Sequence, residues 1–320
     1  MKARVLFGAR FIFCLVCLTA PRIEAQHAKF VPQLHPGQTF FYQIEFGISR
    51  EMKTESRVVS PQAPQTARLG ASGLLMVEVI EASPAGVLLK TYYSERGQTA
   101  APRQAPRSPA EQAPGADKAV EVLIAAAGAK SKITGYDQLS TAQQLAWTDW
   151  LGRFTSAMAF PKGGIRIGQK WDASEAETTP SPIAGLVWSK KSEYVEDQPC
   201  GAQAASGKAD ENSGKPRVEE VCAVILIRAT LRQKSSPKNA TPPDFKQRNL
   251  KTSGTAAGQN ETILYISRAT GLLVRSNEDA TQAMDVVVAL EDGSNEVRNI
   301  LSAKSHSEIR LVQDVPKNVR

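Results

Sequence analysis

The chain has 320 residues, of which 42% are hydrophobic and 22% charged, with four cysteines and three histidines. Its formal net charge is +7; the first 25 residues hold a net +3 (Lys2, Arg4, Arg10 and Arg22 against Glu24), which leaves +4 for the rest. Those remaining basic residues are scattered and no run interleaves them with aromatics, which excludes the concentrated basic face that nucleic-acid binding needs.

The N-terminus has a basic start at Lys2, Arg4 and Arg10, and residues 11–18 form an apolar run ended by Pro21. Ala25 offers a small residue for cleavage, so residues 1–25 read as a secretory signal peptide. The run is too short to span a bilayer, which takes about 20 apolar residues, and no later stretch reaches that length. The expected product is an exported bacterial protein, periplasmic or extracellular, with one β-rich domain over 26–320. Cys14 and Cys17 follow Phe13 and Val16, not the small residue a lipid-modified cysteine requires, and their C-x-x-C spacing falls inside the signal. Cys200 and Cys222 remain. An exported chain with two cysteines points to a disulfide, adding about 3 kcal/mol by closing a loop of this length; two buried free thiols are the alternative.

Residues 26–36 read as a polar, extended lead-in. Residues 39–46 alternate aromatic and β-branched residues with polar ones, the pattern of a strand, with 49–59 as its expected hairpin partner. A second hairpin is predicted from 74–81 and 87–93 about the turn Ser83-Pro84-Ala85-Gly86. Residues 98–118 are rich in Ala and Pro and are expected to be a disordered insertion. Strands follow at 120–124 and 130–134.

One helix is predicted next. Ser140 with Gln143 makes a capping box, and Trp147, Trp150, Leu151, Phe154 and Met158 recur at i, i+3, i+4, i+7 and i+11 on one face. Phe160-Pro161 ends it. Beyond Gly168, Trp171 opens a strand, and further strands are expected at 184–189, 192–196, 218–231, 261–266, 272–276, 282–290, 297–301 and 308–312. Residues 200–216 and 234–258 are polar and are expected to be disordered insertions. Consecutive hairpins without βαβ alternation favour an antiparallel meander. The predicted fold is mainly β: a large curved antiparallel sheet or open barrel, with one amphipathic helix packed on its concave face.

Little in the chain suggests catalysis. His27, His35 and His306 lie near the ends, no Gly-x-Ser-x-Gly elbow is present, and zinc ligands are not clustered. Gly163-Gly164 is followed by neither Lys-Ser nor Lys-Thr, so it is not a phosphate loop. Asp149 and Asp172 are the most suggestive acids for carboxylate chemistry, though helix solvation and turn chemistry account for them. No cofactor or metal is expected.

The stretches Phe160-Pro161 to Gly168-Gln169-Lys170-Trp171 and Ala269-Thr270-Gly271-Leu272-Leu273 resemble a pattern in bacterial exported β-rich proteins, some of which are similar to the lipoprotein-carrier (LolA-like) group. That resemblance implies a curved antiparallel sheet closing over helices to hold an acyl chain. On this view Trp147, Trp150, Phe154 and Met158 are candidate lining of an apolar hollow, and the partner is a lipid or another envelope protein. The rival expectations are a structural or protein-interaction domain in which the same residues fill a core, and a carboxylate-based hydrolase. Trp147 and Trp150 are expected to pack on the sheet.

Overall fold

The computed structural model describes residues 28–56, 63–95, 119–125, 130–161, 163–177, 181–201 and 220–312. The expected signal peptide over 1–25, His27, the expected insertion at 98–118 and most of the one expected at 200–216 lie outside the described residues. The elements in chain order are β1 (Thr39–Ser56), β2 (Gln65–Ser83), β3 (Gly86–Glu95), β4 (Ala119–Ala125), β5 (Lys130–Thr134), α1 (Thr141–Ser156), β6 (Lys170–Ala176), β7 (Leu186–Pro199), β8 (Val221–Gln233), α2 (Pro243–Gln247), β9 (Leu250–Ser267), β10 (Leu273–Leu290) and β11 (Val297–Val312).

The strands form one 11-stranded sheet in the order β5-β4-β3-β2-β1-β11-β10-β9-β8-β7-β6. Every neighbouring pair is antiparallel. The first and last strands therefore meet at the centre, Ile44 opposite Ile309. The chain steps outward from β1 to one edge at β5 and passes through α1. It then resumes at the other edge with β6 and steps back to β11. The sheet is not closed. This is the mainly β, curved-sheet architecture that the sequence predicts, with one main helix.

Several strands are longer than their apolar patterns suggest. Residues 49–56 are not a hairpin partner of 39–46 but the continuation of β1, whose partner is β2, Thr39 opposite Glu78 and Met52 opposite Gln65. In the same way 272–276 and 282–290 belong together in β10, and 297–301 and 308–312 in β11. The segment 234–258, expected to be a disordered insertion, is ordered: it holds α2 and the first part of β9, and Gly254 N donates to Pro237 O at 2.7 Å. Sequence alternation failed over 250–258 because Thr252, Gly254 and Gly258 on the inner face there are polar or small, so ladder hydrogen bonds hold that stretch without a continuous apolar stripe.

The capping box forms as predicted. Gln143 N donates to Ser140 Oγ at 3.3 Å and Ser140 N to Gln143 Oε1 at 2.9 Å. An 18-residue strand runs about 60 Å at 3.3 Å per residue, whereas the 16-residue α1 is about 24 Å long. The helix therefore covers less than half of the inner face, and the core is split accordingly. The larger cluster unites α1 with the inner residues of the central strands, among them Tyr42, Ile44, Leu75, Val77, Leu89, Ile225, Leu264 and Ile309. The lead-in joins this cluster: Phe30 and Leu34 are buried, and Phe30 meets Phe160 and Tyr194 edge-on with centroids 5.5 and 5.8 Å apart. A smaller cluster of Ile183, Leu186, Leu231, Ala240, Ala256 and Val286, with Trp188, lies at the far end of β7 to β10. The 234–258 stretch contributes Ala240 and Ala256 to this cluster.

Candidate functional site

The aromatic face of α1 is the first place to look. Trp147, Trp150 and Phe154 are 1%, 0% and 2% exposed, and Met158 is partly buried against them. Trp150 stacks on Phe154 with centroids 5.2 Å apart and meets Tyr42 at 5.9 Å. Trp147 Nε1 donates to Thr91 Oγ1 at 2.9 Å, and Thr91 Oγ1 donates in turn to Val120 O at 3.0 Å. An indole N–H buried without a partner is costly, so this pair fixes the helix over β3 and β4. None of these four residues lines the cavity beside α1 at Thr148 and Gly152, nor the grooves at Ile183, at Thr230 or at Asp172. Under its aromatic face α1 rests directly on the protein's own side chains.

Beside that apolar face α1 carries a polar seam, which sequence reasoning saw only in part. Asp149 and Arg153 stand at i and i+4 and form an ion pair of 2.6 Å, with side chains only 13% and 4% exposed. Arg153 Nη1 donates to Ser276 Oγ at 3.1 Å on β10, and its Nε lies 3.6 Å from Glu278 Oε2. Ser307 of β11 donates to Asp149 Oδ2 at 2.6 Å, and Thr262 of β9 donates to Glu278 Oε2 at 2.8 Å. Ser276, Glu278, Ser307 and Thr262 face inward because Ser276 pairs with Ile309, and Glu278 with both Ser307 and Thr262, on alternate positions of the buried side. Asp149 is thus no solvating residue of an exposed helix. Burial raises its pKa above the usual carboxylate range; Arg153 opposes that shift and Glu278 adds to it.

Next to this network is a cavity of about 170 Å³, bounded by α1 at Thr148, Gly152 and Arg153 and by the sheet at Asn260, Thr262 and Glu278. Asp172, the other acid singled out from sequence, is remote from the seam in the fold. It lies on edge strand β6 opposite Lys191 and lines a separate groove of about 340 Å³ with Lys170 and Arg228. Carboxylate catalysis needs a proton donor or acceptor free to reach a substrate. Both oxygens of Asp149 are already engaged, by Arg153 and by Ser307, so the seam is built to fasten α1 to the sheet.

Cys200 and Cys222 are bonded, with sulfurs 2.09 Å apart, joining the end of β7 to the start of β8. Among the described residues no group of three or more His, Cys, Asp or Glu is placed to hold a metal, and no helix is long and apolar enough to cross a membrane. No protein-family model matches the chain, and no curated protein matches it. Among solved structures the chain is similar to the outer membrane protein OprG from Pseudomonas aeruginosa, at 4% identity and a TM-score of 0.18, over 88% of this chain and 98% of that one. It is also similar to a structure described as asymmetric conductivity of engineered proteins, at 7% identity and a TM-score of 0.16, over 86% and 100% of the two chains. At such TM-scores neither likeness bears on what this chain does.

Proposed function

We propose that the chain is an exported, non-enzymatic envelope protein that works as a structural or protein-interaction domain, with residues 1–25 removed on export. The observation that carries this reading is the filled inner face. Trp147, Trp150 and Phe154 stand where an acyl chain held between sheet and helix would have to lie. The Cys200–Cys222 bond supports an oxidising compartment, where such links form and persist. The test is mass spectrometry of the protein taken from the periplasmic fraction, intact and after organic extraction. A mature chain starting near Gln26 with no bound lipid supports the proposal. A lipid present at one per chain overturns it.

A second reading keeps the similarity to the lipoprotein-carrier group and moves the ligand. Past the end of α1, on the inner face, Met52 and Leu69 are 38% and 37% exposed. Met52 stands opposite Leu301. An apolar or lipid-like ligand would lie on this uncovered floor rather than under the helix. A fluorescent fatty acid that binds the wild type, and binds Met52→Asp at least several-fold more weakly, would favour this reading over the first.

A further inference from the structure

Gly152 sits in the interior of α1, where glycine costs helix stability relative to alanine. No atom lies within 4 Å of the position its Cβ would occupy, so close packing does not require a glycine there. A side chain at this position would instead enter the 170 Å³ cavity that Gly152 lines. The neighbouring Arg153 is 3% exposed, and its Nε has no hydrogen-bond partner. Glu278 Oε2, at 3.6 Å, is too far to serve as one.

The chemistry around this space selects a kind of ligand. Its walls hold Asp149 and Glu278 against Arg153 and Lys190, and Lys190 is itself paired with Glu175 at 2.5 Å, so no unmatched cation is left there for an anionic ligand. A hydroxyl both donates and accepts. One placed beside Arg153 Nε and Glu278 gives Nε the acceptor it lacks and donates to the carboxylate, which an anion or a cation cannot do. The volume compares with the roughly 150 Å³ that admits benzene in an engineered cavity, so about six heavy atoms fit. Ile227 and Leu264 supply a patch for C–H groups.

We infer that this cavity binds a small neutral polyol of glycerol size, one hydroxyl bridging Arg153 Nε and Glu278. The site borders the apolar core at Leu264, but its polar contacts do not depend on the proposed function, and it stands or falls independently of that reading. The test is a titration of the full chain with glycerol, followed by NMR on the Arg153 Nε–H signal, which reports the bridging contact directly. A saturable shift at millimolar glycerol is expected. It should be lost in Gly152→Leu, which fills the space, while the melting temperature of that variant stays unchanged or rises. Should Gly152→Leu fail to fold, Gly152→Ala narrows the same space and should weaken binding at least fivefold. A shift that never saturates, or one that these variants retain, overturns the inference and leaves the cavity to water.

Discussion

The two halves of the sheet solve the same problem differently. Under α1 the inner face is sealed by large aromatic and aliphatic side chains and a buried ion-pair network. Beyond the helix the same strands continue over small residues, such as Ala229, Gly258 and Ala303, and a loop cluster around Ile183 and Ala240 packs only on the far end of β7 to β10. On the opposite, exposed face of the central strands there, Arg298 pairs with Asp285. A strand can thus run far past its core if its ladder is complete, but the stability then resides mostly at one end.

The sharpest way to break this comparison is to delete one large aromatic from each half. Trp150→Ala leaves a cavity where the side chain was fully buried and should cost about 3–5 kcal/mol in urea unfolding. Trp188, partly buried and donating to Glu177 Oε2 at 2.7 Å, should cost roughly 1–2 kcal/mol on the same change. Equal losses would mean that the two halves share one core. Next in size is Arg153→Ala, which strands Asp149 and Glu278 with no cation between them and should cost about 3 kcal/mol.

The same network gives a pH dependence with a definite sign. Burial raises the pKa of Asp149 in the folded protein, so the native state holds that proton more tightly than the unfolded chain. The contribution of this residue to stability is therefore lost as pH rises from the unfolded carboxyl value, about 4, through the raised native value. Asp149→Asn should remove that part of the slope when urea midpoints are compared across this interval. A slope identical to that of the wild type would place the titration elsewhere.

How much of this was legible in the sequence follows the same division. Ser140 with Gln143, the aromatic stripe on α1, the Ser83 to Gly86 turn and the disulfide are local signals or depend on cysteine count, and each can be read from a short window. The outer half is not legible, because Thr252, Gly254, Ala256 and Gly258 show no alternation of apolar and polar residues and earn their place only by pairing with β10. Nor was the polar seam. Asp149 and Arg153 are visible as an i,i+4 pair, but Glu278, Ser276 and Ser307 reach them only through strand registers set far along the chain.

Two predictions probe the outer half. Gly254 has φ +140°, and a Cβ there would sit 2.1 Å from Asp285 O and 2.8 Å from Val286 Cα. Gly254→Ala should therefore push β9 away from β10 and cost about 2 kcal/mol. Faster hydrogen exchange confined to the outer parts of these strands would show the damage to be local. Protection lost evenly across the sheet would show instead that the halves unfold as one.

The smallest effect is expected where the structure shows its best-formed exposed ion pair. Arg298 grips Asp285 with two hydrogen bonds, Nε to Oδ1 at 2.8 Å and Nη2 to Oδ2 at 2.6 Å, and reaches Glu55 on the other neighbouring strand at 3.4 Å. The contact holds the Asp285 carboxyl below its ordinary pKa, which shows that the charges feel each other. Water and salt nevertheless screen a pair this exposed, and ordering two long side chains offsets much of the attraction. Arg298→Ala should accordingly lower the melting temperature slightly at low ionic strength and leave it unchanged in high salt. A large loss that salt does not diminish would mean that Arg298 contributes by packing its stem across β1, β11 and β10, and the outer half would then have to be counted as a second core rather than an extended ladder.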